Sequence, residues 1–273
     1  MLKTGQIKYN GKQVSPALFP KAGGILTICE NKLLPVWKFN VECHHLDDDI
    51  AVVYKPPGVL TSGNSFRTLR HALPHTIPVS TKIDALQQPE PVHRLDQRAQ
   101  GLLIVARTTH ARAQLGQLFE HRNIKKTYRA IACGYIPKND QSLLPLEGQD
   151  ASTLWRPLRW TRSIENGWLT ELNIEIHTGR KHQIRKHLSY KGHPLLGEDI
   201  YIEGRRLRSK GLFLMAERLQ FPHPLTGETM DIQAPPPVKF HNFLMKQEHR
   251  WIKFQKQQSL FVKNSRTNQP KES

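Results

Sequence analysis

The sequence predicts an α+β fold with a largely antiparallel, mixed sheet flanked by helices and loops. Short strand patterns dominate, and the helices among them do not follow the strict strand–helix alternation of a doubly wound parallel sheet. Two pairs of strand patterns are joined by tight turns, Asn166-Gly167 and Pro224-Leu225-Thr226-Gly227. Because a short turn can join only antiparallel neighbours, these two pairs favour an antiparallel arrangement.

Residues 1–40 are predicted to form a small β-rich segment. A strand pattern at 6–9 leads into the turn Asn10-Gly11, and a second apolar strand follows at 24–28. An Asn-Gly pair after a strand pattern is a strong hairpin signal, since both residues tolerate positive φ. We expect a larger domain to follow over residues 41–245.

The larger domain opens with a strand at 50–54 that stops at Lys55-Pro56-Pro57-Gly58, because proline cannot continue a central strand. The next elements are expected in this order: an excursion loop at 64–91, a second loop at 93–100, a buried strand at 101–106, a helix at 111–119 and a strand at 127–135. The helix is predicted from apolar residues at i, i+4, i+7 and i+8, which share one face.

Two hairpins and one helix are predicted in the rest of this domain. The hairpins fall at 160–176 and 212–234, and one arm of the first alternates apolar and polar residues as a half-buried strand does. Between them a helix is expected from Thr178, as its N-cap, through Ser189, with Gly192 as its stop.

The composition shifts at Lys246. From there to Ser273 the chain has seven Lys or Arg and two Glu, and its last ten residues lack an apolar pattern. A basic segment that cannot bury apolar surface does not fold by itself. Residues 246–273 are therefore predicted to be a basic, partly disordered tail.

The net charge indicates a polyanionic partner. The 273 residues include 40 Lys and Arg against 23 Asp and Glu, a formal charge of +17, and attraction to phosphates is how such a charge binds nucleic acid. The other interpretation is a generally basic surface.

The sequence shows no sign of export or membrane insertion. No apolar run approaches the ~20 residues of a membrane span, the first residues lack a signal sequence, and the three Cys are widely spaced. We expect a cytoplasmic protein with reduced cysteines.

One carboxylate is placed where chemistry is expected. Asp96 lies between Arg94 and Arg98, in a loop directly before a buried strand. Cationic neighbours favour an ionised carboxylate, the form required for nucleophilic attack or charge stabilisation. The competing interpretation is an ion pair that only holds the loop.

Five sequence blocks, in this order, resemble the motifs of RluA-type pseudouridine synthases. They are Asp48-Asp49-Ile50-Ala51-Val52-Val53-Tyr54-Lys55-Pro56-Pro57-Gly58, then His93-Arg94-Leu95-Asp96 with Gly101-Leu102-Leu103, Lys126-Thr127-Tyr128-Arg129-Ala130 with Gly134, residues 179–198, and residues 221–228. Five ordered blocks are far more specific than one tetrad. The resemblance covers residues 47–238 and implies the pseudouridine synthase fold and an RNA isomerase.

The resemblance also implies roles for individual residues. Asp96 would be the catalytic carboxylate, Tyr128 the aromatic residue beside the target base, and Arg185 the cation that orients Asp96. Substrate binding would involve His93, Arg94, Arg180, His182 and Lys55, with Arg94 helping to displace the uridine. The uridine must leave its stack, because its C1′–N1 bond is broken and the uracil is rejoined through C5.

The chain departs from the family pattern at several positions. Ala99-Gln100 replaces the usual Thr-Ser, and Lys181 and Lys186 replace more typical Thr and Val, so loop support or substrate choice can differ. Residues 2–28 resemble only the second half of the alpha-L RNA-binding module that often accompanies these enzymes.

Other functions remain open at this stage. The main alternative is a non-catalytic RNA-binding or ribosome-assembly factor that retains the fold. A glycoside hydrolase is disfavoured, because no second carboxylate is apparent. No metal is expected, since no His-x-x-x-His or Cys-x-x-Cys spacing accompanies His93, His182, His187 and His193, and no cofactor is expected. The predicted partner is ribosomal or transfer RNA, bound by a monomer.

Overall fold

The computed structural model describes residues 7–14, 19–28, 33–202, 209 and 211–267. The chain divides into two compact units, residues 1–35 and 36–273. In the first unit, β1 (Ile7–Tyr9) pairs antiparallel with β2 (Lys12–Gln13) and with β3 (Leu26–Ile28). The β1–β2 turn is at Asn10-Gly11, as predicted, and both residues have positive φ.

The second unit is organised around one large sheet. Its strands in the described part of the chain are β4 (Glu42–Leu46), β5 (Ile50–Lys55), β6 (Ala85–Pro91), β7 (Gln100–Thr108), β8 (Lys125–Cys133), β9 (Asp140–Ser142), β10 (Thr153–Ser163), β11 (Gly167–Ile176), β12 (Leu214–Pro222) and β13 (Thr229–Gln233). The order is β4-β5-β7-β12-β8-β11-β10-β9, with β6 on β7 and β13 on β12. The β7–β12 pair is parallel and the other pairs are antiparallel. The predicted α+β class with a largely antiparallel sheet is confirmed.

The helices of the described residues are α1 (Leu69–Thr76), α2 (Thr109–Glu120), α3 (Gln183–Tyr190) and α4 (Val238–Thr267). The prediction of a loop over 64–91 is wrong, because this segment contains both α1 and β6. Pro74 and the two His residues of this segment obscured the helix, whose start is set by Thr68: its Oγ1 accepts a hydrogen bond from the backbone N–H of His71. A Thr cap of this kind satisfies a donor that the helix leaves unpaired.

Two further helix predictions need correction. Helix α3 begins at Gln183 and not after Thr178, whose Oγ1 instead donates to Gln183 Oε1 at 2.7 Å. Helix α4 continues through Thr267, so the loss of structure expected from Lys246 does not occur in 246–267, and residues 268–273 lie outside the described residues. None of the helices in the described ranges is long and apolar enough to cross a membrane.

The core has one layer on each face of the sheet. On one face, Leu103, Ala130 and Leu172 pack with residues of α1 and α3. On the other face, Ile104 and Ile131 pack with residues of α2 and α4. Strand residues alternate between these faces, and the site described next lies on the face covered by α1 and α3.

Candidate active site

Asp96 lies in the loop between β6 and β7, and several hydrogen bonds hold this loop in place. Thr61 Oγ1 donates to the carbonyl of Leu95 and accepts from its N–H, both at 3.2 Å. The N–H of Gly58 donates to the carbonyl of Gln97 at 2.8 Å. The segment that follows β5 therefore fixes the residues on both sides of Asp96.

Lys55 lies beneath the same loop. Its side chain is 0% exposed, and Nζ donates to the carbonyls of Pro56, Val59 and Gln97 at 2.9, 2.7 and 3.2 Å. Burial lowers the pKa of Lys55 to about 8, although the charge of Asp96 opposes the shift. The residue expected to bind substrate is thus placed as an internal support of the loop.

A cavity of about 170 Å³ opens beside Asp96. Its lining includes Arg94, Asp96, Tyr128, Arg180 and His182, together with the apolar Leu95, Ile176 and Leu214. Ligand pockets of drug size are roughly 300–1,000 Å³, so this cavity suits one small planar group. Larger grooves lie elsewhere, along β9–β11 and along α4, and their linings do not include Asp96.

Tyr128 forms one wall of the cavity from the middle of β8. Its neighbours in register are Ile174 on β11 and Ala216 on β12, so the backbone position is fixed from both sides. The side chain is buried, and burial, followed by the negative charge of Asp96, raises the pKa of Tyr128 above its ordinary value. The ring therefore carries a protonated hydroxyl.

Arg185 is close to Asp96, but its two strong hydrogen bonds go elsewhere. Nη1 of Arg185 is 3.9 Å from Asp96 Oδ2. Nε and Nη2 of Arg185 each donate at 2.7 Å to the carboxylate of Glu198. The charge of Arg185 thus lies near Asp96 while its planar fork binds Glu198, and the role of Arg185 in orienting Asp96 stays a prediction.

Glu198 is a buried partner of Arg185 that the sequence reasoning did not single out. It is 1% exposed, and its Oε1 also accepts the backbone N–H groups of Asp199, Ile200 and Tyr201. Burial would raise the pKa of Glu198, but the hydrogen bonds from Arg185 and the backbone lower it to about 2. The available signal was its place directly after Gly197 in the longest motif, combined with the need of a buried arginine for a carboxylate.

His182 occupies the residue before α3 and has a left-handed backbone with φ 56°. Its Nε2 is 3.8 Å from Asp96 Oδ1, and its Nδ1 is 2.7 Å from the hydroxyl of Tyr201. Burial lowers the pKa of His182, and the charge of Asp96 opposes that shift. His182 therefore lies in the turn before α3 and not inside the helix that was predicted to start at Thr178.

The other predicted substrate residues separate into two groups. Arg94 is exposed at the mouth of the cavity and Arg180 lines it, with Arg180 Nε donating to the carbonyl of Asp150. His93 points away from the cavity, because its Nε2 accepts from the N–H of Ile104 and its ring packs on Phe119. Burial, with a smaller effect of a nearby lysine, lowers the pKa of His93 to about 3, so this imidazole is neutral.

A cluster of possible metal ligands lies outside the cavity. Asp47, Asp49 and His223 have one ligand atom each within 4.8 Å of one another. Asp47 Oδ1 already accepts the N–H groups of Asp49 and Ile50, and Asp49 Oδ2 accepts from Lys82 Nζ. These bonds account for the cluster, and the expectation of no metal stays a prediction.

Comparison with known proteins identifies the family to which this chain belongs. Residues 49–190 match the family model described as RNA pseudouridylate synthase. An uncharacterized RNA pseudouridine synthase of Aquifex aeolicus is 31% identical, with 88% of this chain and 85% of that protein covered. The ribosomal large subunit pseudouridine synthase D of Vibrio parahaemolyticus is 32% identical, with 86% and 81% covered.

A solved structure shares the fold. Human RNA pseudouridylate synthase domain containing 1 superimposes with a TM-score of 0.61 at 24% identity, covering 75% of this chain and 87% of that one. The matched family segment contains the Asp96 loop, Tyr128 and the start of helix α3, which line the cavity together with Leu214 beyond the segment. The chain therefore belongs to the RluA-type RNA pseudouridine synthases and is an isomerase that acts on uridines in RNA.

Proposed function

We propose that Asp96 is the catalytic carboxylate, that Tyr128 contacts the target base and that Arg185 orients Asp96. The observation that carries this proposal is the cavity itself. It brings Asp96 and Tyr128 into one lining, while Arg185 and His182 each approach an oxygen of Asp96 to within 3.9 Å. Its volume suits a single uracil, and an enzyme that acts on a base must first take that base out of the stack.

The reaction requires one bond to break and another to form at C1′ of the ribose. The C1′–N1 bond breaks, the uracil turns in the cavity, C5 bonds to C1′, and C5 loses a proton while N1 gains one, so that the product is an isomer of uridine. Asp96 acts at the sugar, either by attacking C1′ or by removing the C2′ proton. Because the pKa of Tyr128 is raised, the ring serves better as a stacking surface and hydrogen-bond donor than as the base that accepts the C5 proton.

Arg94, Arg180 and His182 are proposed to hold the flipped nucleotide. Arg94 is free at the mouth of the cavity to take the space that the uridine leaves, while Arg180 and His182 line the interior. Lys55 and His93 are proposed to support the loop from below, since their ring or amino nitrogens bond to backbone groups. They would affect the position of Asp96 and not the RNA contact.

The substrate is proposed to be ribosomal or transfer RNA. Several relatives bear the name ribosomal large subunit pseudouridine synthase D, which favours ribosomal RNA. We further propose a cytoplasmic monomer, with residues 1–40 as an accessory RNA-binding segment, residues 41–245 as the catalytic domain and residues 246–273 as a basic extension.

The test is Asp96→Asn, which keeps the shape of the side chain and removes its charge. Pseudouridine formation should fall by several orders of magnitude on RNA from cells that lack the enzyme, while RNA affinity changes less than about 3-fold, since phosphate contacts dominate binding. Asp231→Asn is the matched control, because Asp231 is a half-exposed carboxylate paired with Arg218 on the β12–β13 hairpin. The control should convert uridine at the unaltered rate.

Two outcomes would contradict the proposal. Full activity of Asp96→Asn would remove Asp96 from the chemistry. Absence of pseudouridine with the unaltered protein on every RNA tested would instead favour a non-catalytic RNA binder, an alternative that family membership disfavours. Mapping pseudouridines in total RNA from cells with and without the protein identifies the target site.

A further inference from the structure

Six side chains form a continuous aromatic and cationic strip away from the cavity. In order of contact they are Trp160, Tyr135, Trp168, Arg162, Trp251 and Phe254, called here the aromatic strip. Ring centroids are 6.0 Å apart for Trp160–Tyr135, 5.2 Å for Tyr135–Trp168 and 6.0 Å for Trp251–Phe254. The guanidinium of Arg162 is 3.8 Å from the centre of the Trp168 ring and 5.3 Å from that of Trp251.

The aromatic strip is accessible and held in place. Tyr135 is 49% exposed and Trp160 is 41% exposed, which is unusual for two adjoining large rings on a soluble surface. The indole Nε1 of Trp160 donates to the carbonyl of Ile136 at 2.8 Å. This bond fixes the ring while leaving part of it open, so contact with a ligand requires little further ordering.

The strand register places Trp168 on the same side of the sheet as the cavity, while Trp251 and Phe254 lie on α4, which packs on the opposite face. Ile174 lies opposite Tyr128, and Trp168 precedes Ile174 on β11 by six residues, an even number that keeps both side chains on one face. At about 3.3 Å per residue, Trp168 is roughly 20 Å from the position beside Tyr128. A polynucleotide held in the cavity can extend over that distance.

The unpaired charge around the strip is positive, because the neighbouring Glu165 and Glu248 form ion pairs with Arg250 and Arg159. Arg162 is exposed and makes no ion pair with the described residues, and its contacts are to ring faces. Beyond Trp251, helix α4 carries Lys253 and Lys256 and no acidic residue through Ser259. Rings that can stack on bases, interleaved with cations that attract phosphates, are the composition of surfaces that bind single-stranded nucleic acid.

We propose that the aromatic strip binds unpaired nucleotides of the substrate RNA that flank the target uridine. Tyr135, Trp160 and Trp168 stack on bases, while Arg162 and the lysines of α4 contact phosphates. The inference rests on the proposed function in one respect, namely that an RNA strand enters the cavity. It adds a second contact that holds the RNA without taking part in the chemistry.

The test compares ring removal with ring replacement in the full-length Asp96→Asn protein, so that turnover does not alter the RNA. The affinity for a short unpaired oligoribonucleotide should fall about 10-fold or more in Tyr135→Ala/Trp160→Ala, since stacking on each base contributes strongly. Tyr135→Phe/Trp160→Phe should retain most of the affinity. Leu225→Ala, an equally exposed apolar residue on the β12–β13 turn, should bind as the parent does.

Two further comparisons make the result specific. The same alanine variant should lose little affinity for a duplex of the same sequence, whose bases are not free to stack. Raising the salt should weaken all proteins together, because phosphate contacts are salt-dependent, while the ratio between parent and alanine variant persists. Equal losses for duplex and unpaired RNA, or a phenylalanine variant as weak as the alanine one, would overturn the proposal.

An unchanged RNA affinity in a folded alanine variant would also overturn it, and would point to a protein partner for this surface. If the alanine variant melts before binding can be measured, the unaltered chain is crosslinked to RNA that contains 5-iodouridine. Crosslinks at Tyr135, Trp160 or Trp168 would support the proposal, and their absence there would refute it. The test compares affinities of proteins that all carry Asp96→Asn, and Tyr135 and Trp160 do not line the cavity, so the affinity ratio tests the strip whether or not Asp96 is catalytic.

Discussion

Two buried cations flank Asp96, and their surroundings differ. Lys55, beneath the loop, is 0% exposed and donates only to carbonyl oxygens. Arg185, on α3, is 2% exposed and donates two hydrogen bonds to the carboxylate of Glu198. Burial lowers the pKa of Lys55, whereas for Arg185 the bonds to Glu198 outweigh burial and the pKa is raised.

The different surroundings of Lys55 and Arg185 indicate that the two cations have different tasks in the site. A lysine that neutralises backbone dipoles determines where the loop lies, because it ties Gln97 to the segment that follows β5. An arginine that is paired with a carboxylate keeps its charge at any ordinary pH, because the guanidinium does not deprotonate. We infer that Lys55 sets the position of Asp96 and that Arg185 sets the charge beside it.

The largest effect is expected when the arginine loses its partner. Glu198→Ala leaves Arg185 buried without a carboxylate in bonding distance, and breaking a buried pair in this way typically costs about 3–5 kcal/mol of unfolding free energy. Single-turnover pseudouridine formation should also fall, since Arg185 is then free to rotate onto Asp96. Denaturant unfolding and rapid-quench kinetics measure the two effects.

A matched control uses a pair of the same chemistry at the surface. Glu248→Ala breaks the ion pair with Arg159, in which both side chains are more than a third exposed, so the loss should be about 0–1 kcal/mol. Glu198→Gln retains the acceptor for the backbone N–H groups, so its loss of unfolding free energy should lie between those of Glu198→Ala and Glu248→Ala. Equal stabilities for Glu198→Ala and Glu248→Ala would refute the distinction between buried and exposed pairs at this site.

A smaller effect is expected when the lysine is removed. Lys55→Met fills the same space but leaves three carbonyls without their shared donor, which should cost about 1–3 kcal/mol of unfolding free energy. The turnover rate should fall with little change in RNA affinity, because Lys55 supports the loop and does not reach solvent. Lys38→Met removes the same charge from an exposed position and should change neither the unfolding free energy nor the turnover rate. If RNA affinity fell in Lys55→Met and not in Lys38→Met, Lys55 would have to be counted among the residues that contact the substrate.

Much of the sheet could be predicted from local patterns. The strand at 50–54, the buried strand at 101–106 and the hairpin around Asn166-Gly167 all occur, because alternation and turn chemistry are encoded within a few residues. The helix α1 was missed, since its apolar stripe is short and contains Pro74. The start of α3 was misplaced because Thr178 bonds to a side chain of the helix and not to its backbone.

The residues of the site, like the strands, could be predicted where the information lies in a short stretch of sequence. Asp96, Tyr128, Arg180 and His182 were named in advance and line one cavity. The roles of Lys55 and Glu198 depend on which groups lie opposite them, and the partners of Lys55 include Gln97, 42 positions away. A motif states which residue types recur, whereas the direction in which a lysine or histidine points is decided by tertiary packing.

The smallest predicted effect is a pH dependence that comes from Lys55 alone. Its pKa is lowered to about 8 in the folded protein, against an ordinary value of about 10.5 in the unfolded chain. Between these values the unfolded chain binds more protons than the folded one, so the contribution of Lys55 to stability increases as the pH rises.

From pH 7 to pH 9 this contribution amounts to about 1 kcal/mol. Other groups titrate in the same range, and the comparison must therefore be a difference between proteins. The unfolding free energy of the unaltered chain minus that of Lys55→Met should increase with pH over this window, whereas the corresponding difference for Lys38→Met should stay flat. If the difference in unfolding free energy does not change with pH for either variant, the three carbonyls keep Lys55 fully charged. Lys55 and Arg185 would then differ in the geometry of their hydrogen bonds and not in their protonation.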